Sequence, residues 1–210
     1  MALFVKKTEE ETEVAMIYTT GFGRTRVFVG LGNPGAEHSG NRHNVGFMVL
    51  DRFAASSNLQ WTEKKDLKCV LASGDIGGTR TILVKPTTYM NNSGEAVHAV
   101  LNFFKLNPEE MVVVYDEVDI NFGKLQIKQA GGAAGHNGLK SLLQHNQDSF
   151  TRIRVGIGPK TPAQIDLADF VLQNFATDQL EKLKMIINEA ASILGEATAT
   201  NLSPQTISVA

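Results

Sequence analysis

Four polar loops of this 210-residue chain carry the side chains able to do chemistry, and each follows an apolar run. The first bears Asn33 and His43, the second Asn91 and Asn92, the third Asp116 and Asp119, and the fourth His136 and Asn137. His43 closes a glycine-rich loop just before an amphipathic segment. That places an imidazole, which titrates near neutrality, beside the free N–H groups of a helix start. The positive end of a helix favours the neutral, basic form of such a ring. Asp116 directly follows the apolar run Met111–Tyr115, where a carboxylate would hold the other ring nitrogen and stabilise the imidazolium formed during proton abstraction. The chemistry implied is general-base catalysis. The structural alternative is that His43 caps the helix and Asp116 binds loop amides.

The remaining candidates are mostly neutral. A carboxamide offers one acceptor and two N–H donors, which suits Asn33, Asn91 and Asn137 to reading a peptide group or holding a water. Asn91 and Asn137 also stand beside expected helix starts, where capping is the simpler role. His136, between Gly135 and Asn137, is open to a substrate-positioning role or a structural one. Tyr89 and Phe122 could stack on a base or substrate, or simply pack their loops. Lys128, Lys140, Arg152 and Arg154 flank the last two polar loops, either as a solvated face or as a set of phosphate contacts. The single cysteine, Cys69, excludes an intrachain disulfide and a multi-cysteine metal site, and is expected to be a small buried hydrophobe.

Strands must deliver these loops and helices must leave them. The pattern predicts a strand over 26–31, a loop over 32–43 and a helix over 44–57 on Val45, Met48, Val49 and Phe53. Two strands over 68–73 and 79–85 share a hairpin-type connection containing Gly74, Gly77 and Gly78. The polar loop 86–94 opens a helix to about Lys105. A strand over 111–115 then runs into a loop holding Asp116-Glu117-Val118-Asp119. A strand over 123–128, a glycine-rich loop, a helix over 139–145 and a strand over 152–157 follow. Moderate helical character covers 165–172, and a long helix is expected over 178–194, with Asp178 and Glu181 as a capping box and Gly195 just past its end. Alternating strands and helices specify an α/β protein, a mixed twisted β-sheet between helix layers, whose polar loops converge on one crevice.

The length allows one sizeable domain, read as residues 26–197, with a mobile extension over 1–25 and a C-terminal tail over 198–210. Residues 1–25 fit neither a secretory signal nor an organellar transit peptide. No apolar run reaches the roughly 18 residues of a membrane span, and the expected location is cytoplasmic. Net charge is −2, but it is unevenly spread: residues 24–160 carry 16 Lys/Arg against 12 Asp/Glu, while 161–210 carry 2 against 6. A mildly basic body can meet a few phosphates.

Gly30-Leu31-Gly32-Asn33-Pro34-Gly35 has the spacing of a dinucleotide-binding loop. In such a site the glycines open the helix directly, so that its N-terminus holds the pyrophosphate. Here helical periodicity begins only near Asn44, and the acidic residue expected about 20 positions on, Asp51, lies within the helix. The motif fails in its context.

Five motifs in order carry a specific resemblance: Asn33-Pro34-Gly35, Arg42-His43-Asn44, the run Lys85 to Gly94, Asp116-Glu117-Val118-Asp119, and Gly135-His136-Asn137-Gly138-Leu139-Lys140. On these the chain, from about Arg26 to Leu194, resembles the bacterial peptidyl-tRNA hydrolases. The resemblance implies a monomeric α/β enzyme without cofactor or metal that cleaves the ester between a peptide and the 3′ ribose of tRNA. It puts the general base on His43 and its orienting carboxylate on Asp116. It also implies substrate contacts from Asn33, Tyr89, Asn91, His136 and Asn137, tRNA phosphate contacts from Lys128 and Arg154, and a mobile flap over 161–174. His38 stands where the family commonly has an aromatic residue, and Asn41 where it has a threonine. The second function compatible with the resemblance is an RNA-binding relative that keeps the cleft but serves as a partner protein.

Overall fold

A computed structural model of the chain describes residues 23–145 and 148–209. The expected N-terminal extension therefore lies outside the described residues as far as residue 22. Arg24 and Thr25, expected within it, already belong to the first strand.

The strands are β1 (Arg24–Gly30), β2 (Thr62–Lys64), β3 (Cys69–Ile76), β4 (Thr79–Pro86), β5 (Met111–Asn121), β6 (Lys124–Gln129), β7 (Thr151–Gly158) and β8 (Gln205–Ser208). They form one mixed sheet in the order β2-β3-β4-β1-β5-β7-β6-β8. The centre, β4-β1-β5-β7, is parallel, and antiparallel pairs flank it on both sides. The central strands read as continuous apolar runs because both faces are covered: Val27, Phe28 and Val29 of β1 are all fully buried.

Helices α1 (Val45–Ser56) and α5 (Leu180–Ala199) cover one face, where Val49, Leu50 and Phe53 meet Phe28, Val112, Val114, Ile186 and Leu194. Helices α2 (Ser93–Phe104) and α3 (Asn137–His145) cover the other, through Val97, Val100, Leu139 and Leu142 on Val27, Val29, Val113 and Tyr115. A short helix, α4 (Leu167–Leu172), lies in the segment after β7. The result is the expected α/β sandwich of three layers. Cys69 is wholly buried in the second core. Burial pushes its thiol up to about 11, with Lys64 pulling weakly the other way, so it is no nucleophile.

Four expectations need correction. The strand carrying Asp116 does not end at Tyr115. It continues to Asn121 because Asp116 and Glu117 keep their partners on β7, and pairing resumes at Asn121 opposite Gly158 after a register shift. Bare glycine permits that approach: a Cβ on Gly158 would lie 1.9 Å from the Val118 carbonyl oxygen. The long helix runs through Gly195 to Ala199 rather than stopping before it. Its last carbonyls are capped from outside, Ala197 by Arg26, Thr198 by Thr79 and Ala199 by Arg24, so no left-handed glycine is needed. Its entry is not an Asp178–Glu181 box. A 3-10 turn, Thr177–Gln179, precedes it, and Gln179 Oε1 accepts the Ala176 N–H at 3.0 Å. Finally, the tail contains β8, which pairs antiparallel with β6 from Gln205 to Ser208. Four residues at a sheet edge carry too little apolar pattern to announce themselves.

Candidate active site

The carboxyl ends of β1 and β4 and the middle of β5 open on one cleft of about 640 Å³, where Asn33, His43, Tyr89, Asn91, Asp116, His136 and Asn137 converge, whereas Asn92, Asp119, Phe122 and the basic candidates do not line it. His43 reaches it because a 3-10 turn, Arg42–Asn44, leads directly into α1. The turn can sit against the sheet because residue 46 is glycine: a Cβ there would meet the Val114 carbonyl oxygen at 2.4 Å and the Leu31 nitrogen at 2.6 Å. Gly30 makes the reciprocal approach to the Gly46 carbonyl. These two positions bring the first turn of α1 over the middle of β5, where Asp116 stands.

His43 and Asp116 are both buried, at 8% and 4% exposure. His43 Nδ1 lies 2.8 Å from Oδ1 of Asp116 and 3.0 Å from Oδ2. An ionised carboxylate can only accept, so Nδ1 carries the proton and the lone pair is left on Nε2. His136 Nε2 approaches the same Asp116 Oδ1 at 3.0 Å, while the Leu139 N–H donates to His136 Nδ1 at 3.2 Å. A backbone N–H cannot accept, so the His136 proton sits on Nε2. Burial alone would push the Asp116 carboxyl up. The N–H donors of His136 and His43, and the positive charge of these rings when protonated, outweigh it and hold the carboxyl below the ordinary carboxylate range. His43 Nδ1, Asp116 and His136 Nε2 offer three ligand-type atoms within 4.8 Å of one another. Because both facing nitrogens carry protons, the set is a hydrogen-bonded chain rather than a cation cradle.

The carboxamides divide into held and free. Asn33 is buried, its Oδ1 accepts the Met90 N–H at 2.8 Å, and its backbone exchanges two bonds with the side chain of Asn44, at 2.8 and 2.9 Å. This ties the first polar loop to the second and leaves Nδ2 of Asn33 on the cleft wall. Asn91 and Asn137 are exposed on the same wall, Asn137 at the first position of α3. Tyr89 also lines the cleft, 58% exposed and with φ +55, a conformation unusual for a non-glycine residue. Its ring stands edge-on to His38 at 6.5 Å.

The basic candidates lie elsewhere. Lys128 pairs across β6 and β7 with Arg152, and Gln126 with Arg154, so all four side chains share one face of the sheet. Lys128 is exposed. Arg152 is neither solvated nor free: at 2% exposure it donates to the carbonyls of Gly131 and Gly132 and lies over Phe150. Arg154 is half-buried and donates to Glu117 Oε2 from Nη2 at 2.7 Å and from Nε at 3.1 Å. Glu117 is a residue the sequence reading passed over. It lines the cleft next to Asp116 and links it to the basic face. Asn44 was also missed, while the stretch expected as a flap, 161–174, supplies Asp166, Leu167, Val171 and Leu172 to one side of the cleft. Asn44 was legible as the third residue of Arg42-His43-Asn44, whereas the flap was expected from the resemblance alone, with no role for its individual side chains.

A buried imidazole backed by a carboxylate, its free nitrogen turned to a cleft with amide donors, is the arrangement of hydrolases that activate water by a general base. Comparison with known proteins narrows the class. A model of the peptidyl-tRNA hydrolase family matches residues 27–208. The peptidyl-tRNA hydrolase of Gloeobacter violaceus is 43% identical over 178 residues, covering 84% of this chain and 89% of the relative. That of Exiguobacterium sibiricum is 41% identical over 169 residues, 80% of this chain and 90% of the relative. Among solved structures, peptidyl-tRNA hydrolase from Acinetobacter baumannii superposes with a TM-score of 0.77 at 30% identity, covering 83% of this chain and 93% of that one. The chain belongs to the peptidyl-tRNA hydrolase family.

Proposed function

We infer that the protein hydrolyses the ester joining a peptide to the 3′ ribose of tRNA, and that it does so as a monomer in the cytoplasm. The observation that carries the mechanism is the bond from His43 Nδ1 to Asp116, which turns the Nε2 lone pair toward the cleft. Nε2 takes a proton from a water, and the water oxygen attacks the ester carbonyl. Amide N–H donors of Asn33, Asn91 and Asn137 stabilise the oxyanion. As the tetrahedral intermediate collapses, the His43 imidazolium returns its proton to the departing ribose oxygen, while Asp116 stays ionised. Lys128 and Arg154 meet tRNA phosphates, and the flap around α4 closes over the peptide. The intact His43–Asp116 pair, with carboxamides around it, supports an enzyme over a non-catalytic RNA-binding partner.

The test incubates the protein and its His43→Ala variant with N-acetylaminoacyl-tRNA and with aminoacyl-tRNA. Release from the blocked substrate is expected to exceed release from the free one, and to fall by at least about 100-fold in the variant. Absence of release from the blocked substrate, or equal release by the variant, would overturn the assignment.

A further inference from the structure

We propose that His136 is a positioning residue, not a substrate ligand: it shares the Asp116 carboxylate with His43 and thereby sets the pH at which the base becomes available. The proposal rests on the reading of His43 as the general base and adds a control on it.

His136 has no polar atom left for a substrate. Nδ1 accepts from the Leu139 N–H, Nε2 donates to Asp116, and the side chain is only 7% exposed. Its ring is packed edge-on to Tyr115 at 5.0 Å and tilted against His43 at 4.8 Å. The main chain is anchored on both sides, His136 N–H to the Ala133 carbonyl and Lys140 N–H to the His136 carbonyl. So fixed, the ring cannot turn toward the cleft without breaking both nitrogen contacts. Because Leu139 pins the tautomer, the donor to Asp116 is a permanent one.

The consequence falls on His43. Asp116 Oδ1 receives two N–H groups, from His43 at 2.8 Å and from His136 at 3.0 Å. Each donor draws on the same negative charge, so the second weakens the hold of the carboxylate on a protonated His43 ring. Without His136 the whole carboxylate charge would fall on the protonated His43 ring. The other charged or titratable groups around the pair are left chemically unaltered when His136 is replaced. These are Glu117 of β5, matched by Arg154 of β7, Tyr115 of β5, Arg42 in the turn of His43 itself, and Asp166 of the flap.

The experiment compares His136→Leu, which fills the space without a donor, with His136→Gln, which keeps an N–H near the position of Nε2. The readouts are kcat/KM against pH on N-acetylaminoacyl-tRNA and the NMR titration of the His43 ring. The leucine variant is expected to move the acidic limb of the profile, and the His43 titration with it, upward by about 0.5–1 pH unit. The glutamine variant should stay within about 0.2 unit of the parent. An unmoved limb in the leucine variant overturns the proposal and makes His136 a structural residue. A raised KM with an unmoved limb overturns it in favour of a substrate contact. Should the leucine variant not fold, His136→Ala read the same way takes its place. The underlying reading fails separately, if His43→Ala retains activity.

Discussion

Asn33 and Asn91 face one cleft with one functional group, yet they differ in what the protein itself asks of them. The Asn33 oxygen holds the Met90 N–H, so its two amide hydrogens are aimed by a bond at the other end of the carboxamide. Asn91 has no protein partner among the described residues and is exposed. Alanine at each position should therefore separate stability from catalysis. Asn91→Ala is expected to leave unfolding free energy within about 0.5 kcal/mol of the parent. Its kcat/KM should fall by about 100-fold if its N–H reaches the oxyanion. Asn33→Ala should lose activity similarly and also about 1–3 kcal/mol of stability, because the Met90 N–H is left buried and unpaired. Thermal melts beside steady-state kinetics check both. Equal stability losses would mean that the Met90 contact does not anchor the loop.

At the scale of elements, the turn that bears the base is sewn to the flap. The backbone of 40–42 pairs with 173–175: Asn41 bridges Asn174, and the Arg42 N–H donates to the Gln173 carbonyl at 3.0 Å. The buried Arg42 guanidinium lies 4.5 Å from the centre of the Phe170 ring and 5.5 Å from that of Phe175. Its contacts to the Phe170 carbonyl and to Gln179 Oε1 are long, 3.5 and 3.4 Å, so stacking on the rings is its main hold. Arg42→Lys keeps the charge but not the planar stack. It is expected to cost about 1–2 kcal/mol and to speed hydrogen exchange over 166–175, raising KM more than it lowers kcat. Unchanged exchange in the flap would show that α4 is held by its apolar face alone. This coupling also marks where sequence reading stops. The central strands and α1, α2 and α3 were legible because period and composition are local. The meeting of His43 and Asp116 was legible because polar segments that follow the apolar runs of an α/β sheet converge on one crevice. The Arg42–Phe170 stack joins residues 128 apart, and β8 owes its strand to an edge of β6. Tertiary partners decide both, and no window of sequence contains them.

For the molecule as a whole, the question is how a chain of net charge −2 meets a polyanion. The basic excess of residues 24–160 is partly cancelled within the fold. Arg154 is paired with Glu117, Lys85 with Asp51 and Lys68 with Glu95, while Arg152 is turned inward onto carbonyls. Lys128 is exposed on the same sheet face as Arg154 and has no ion pair among the described residues, so a phosphate contact there would cost the fold nothing. Arg154 can do so only while it also neutralises Glu117, which is 4% exposed beside Asp116. The two residues should therefore respond differently. Lys128→Ala is expected to raise KM for the full tRNA substrate several-fold, to lower the slope of log(kcat/KM) against log salt by about one, and to leave stability unchanged. Arg154→Ala should do the same to the salt slope but also destabilise the protein, because a buried carboxylate loses its partner. A short peptidyl-nucleotide ester, which lacks the distant phosphates, should be hydrolysed normally by Lys128→Ala. It should be hydrolysed more slowly by Arg154→Ala, where the unpaired Glu117 charge reaches the Asp116–His43 pair. If Lys128→Ala impairs both substrates equally, its role is not phosphate contact. If Arg154→Ala spares the short ester, the Glu117 link between the basic face and the base has no catalytic consequence.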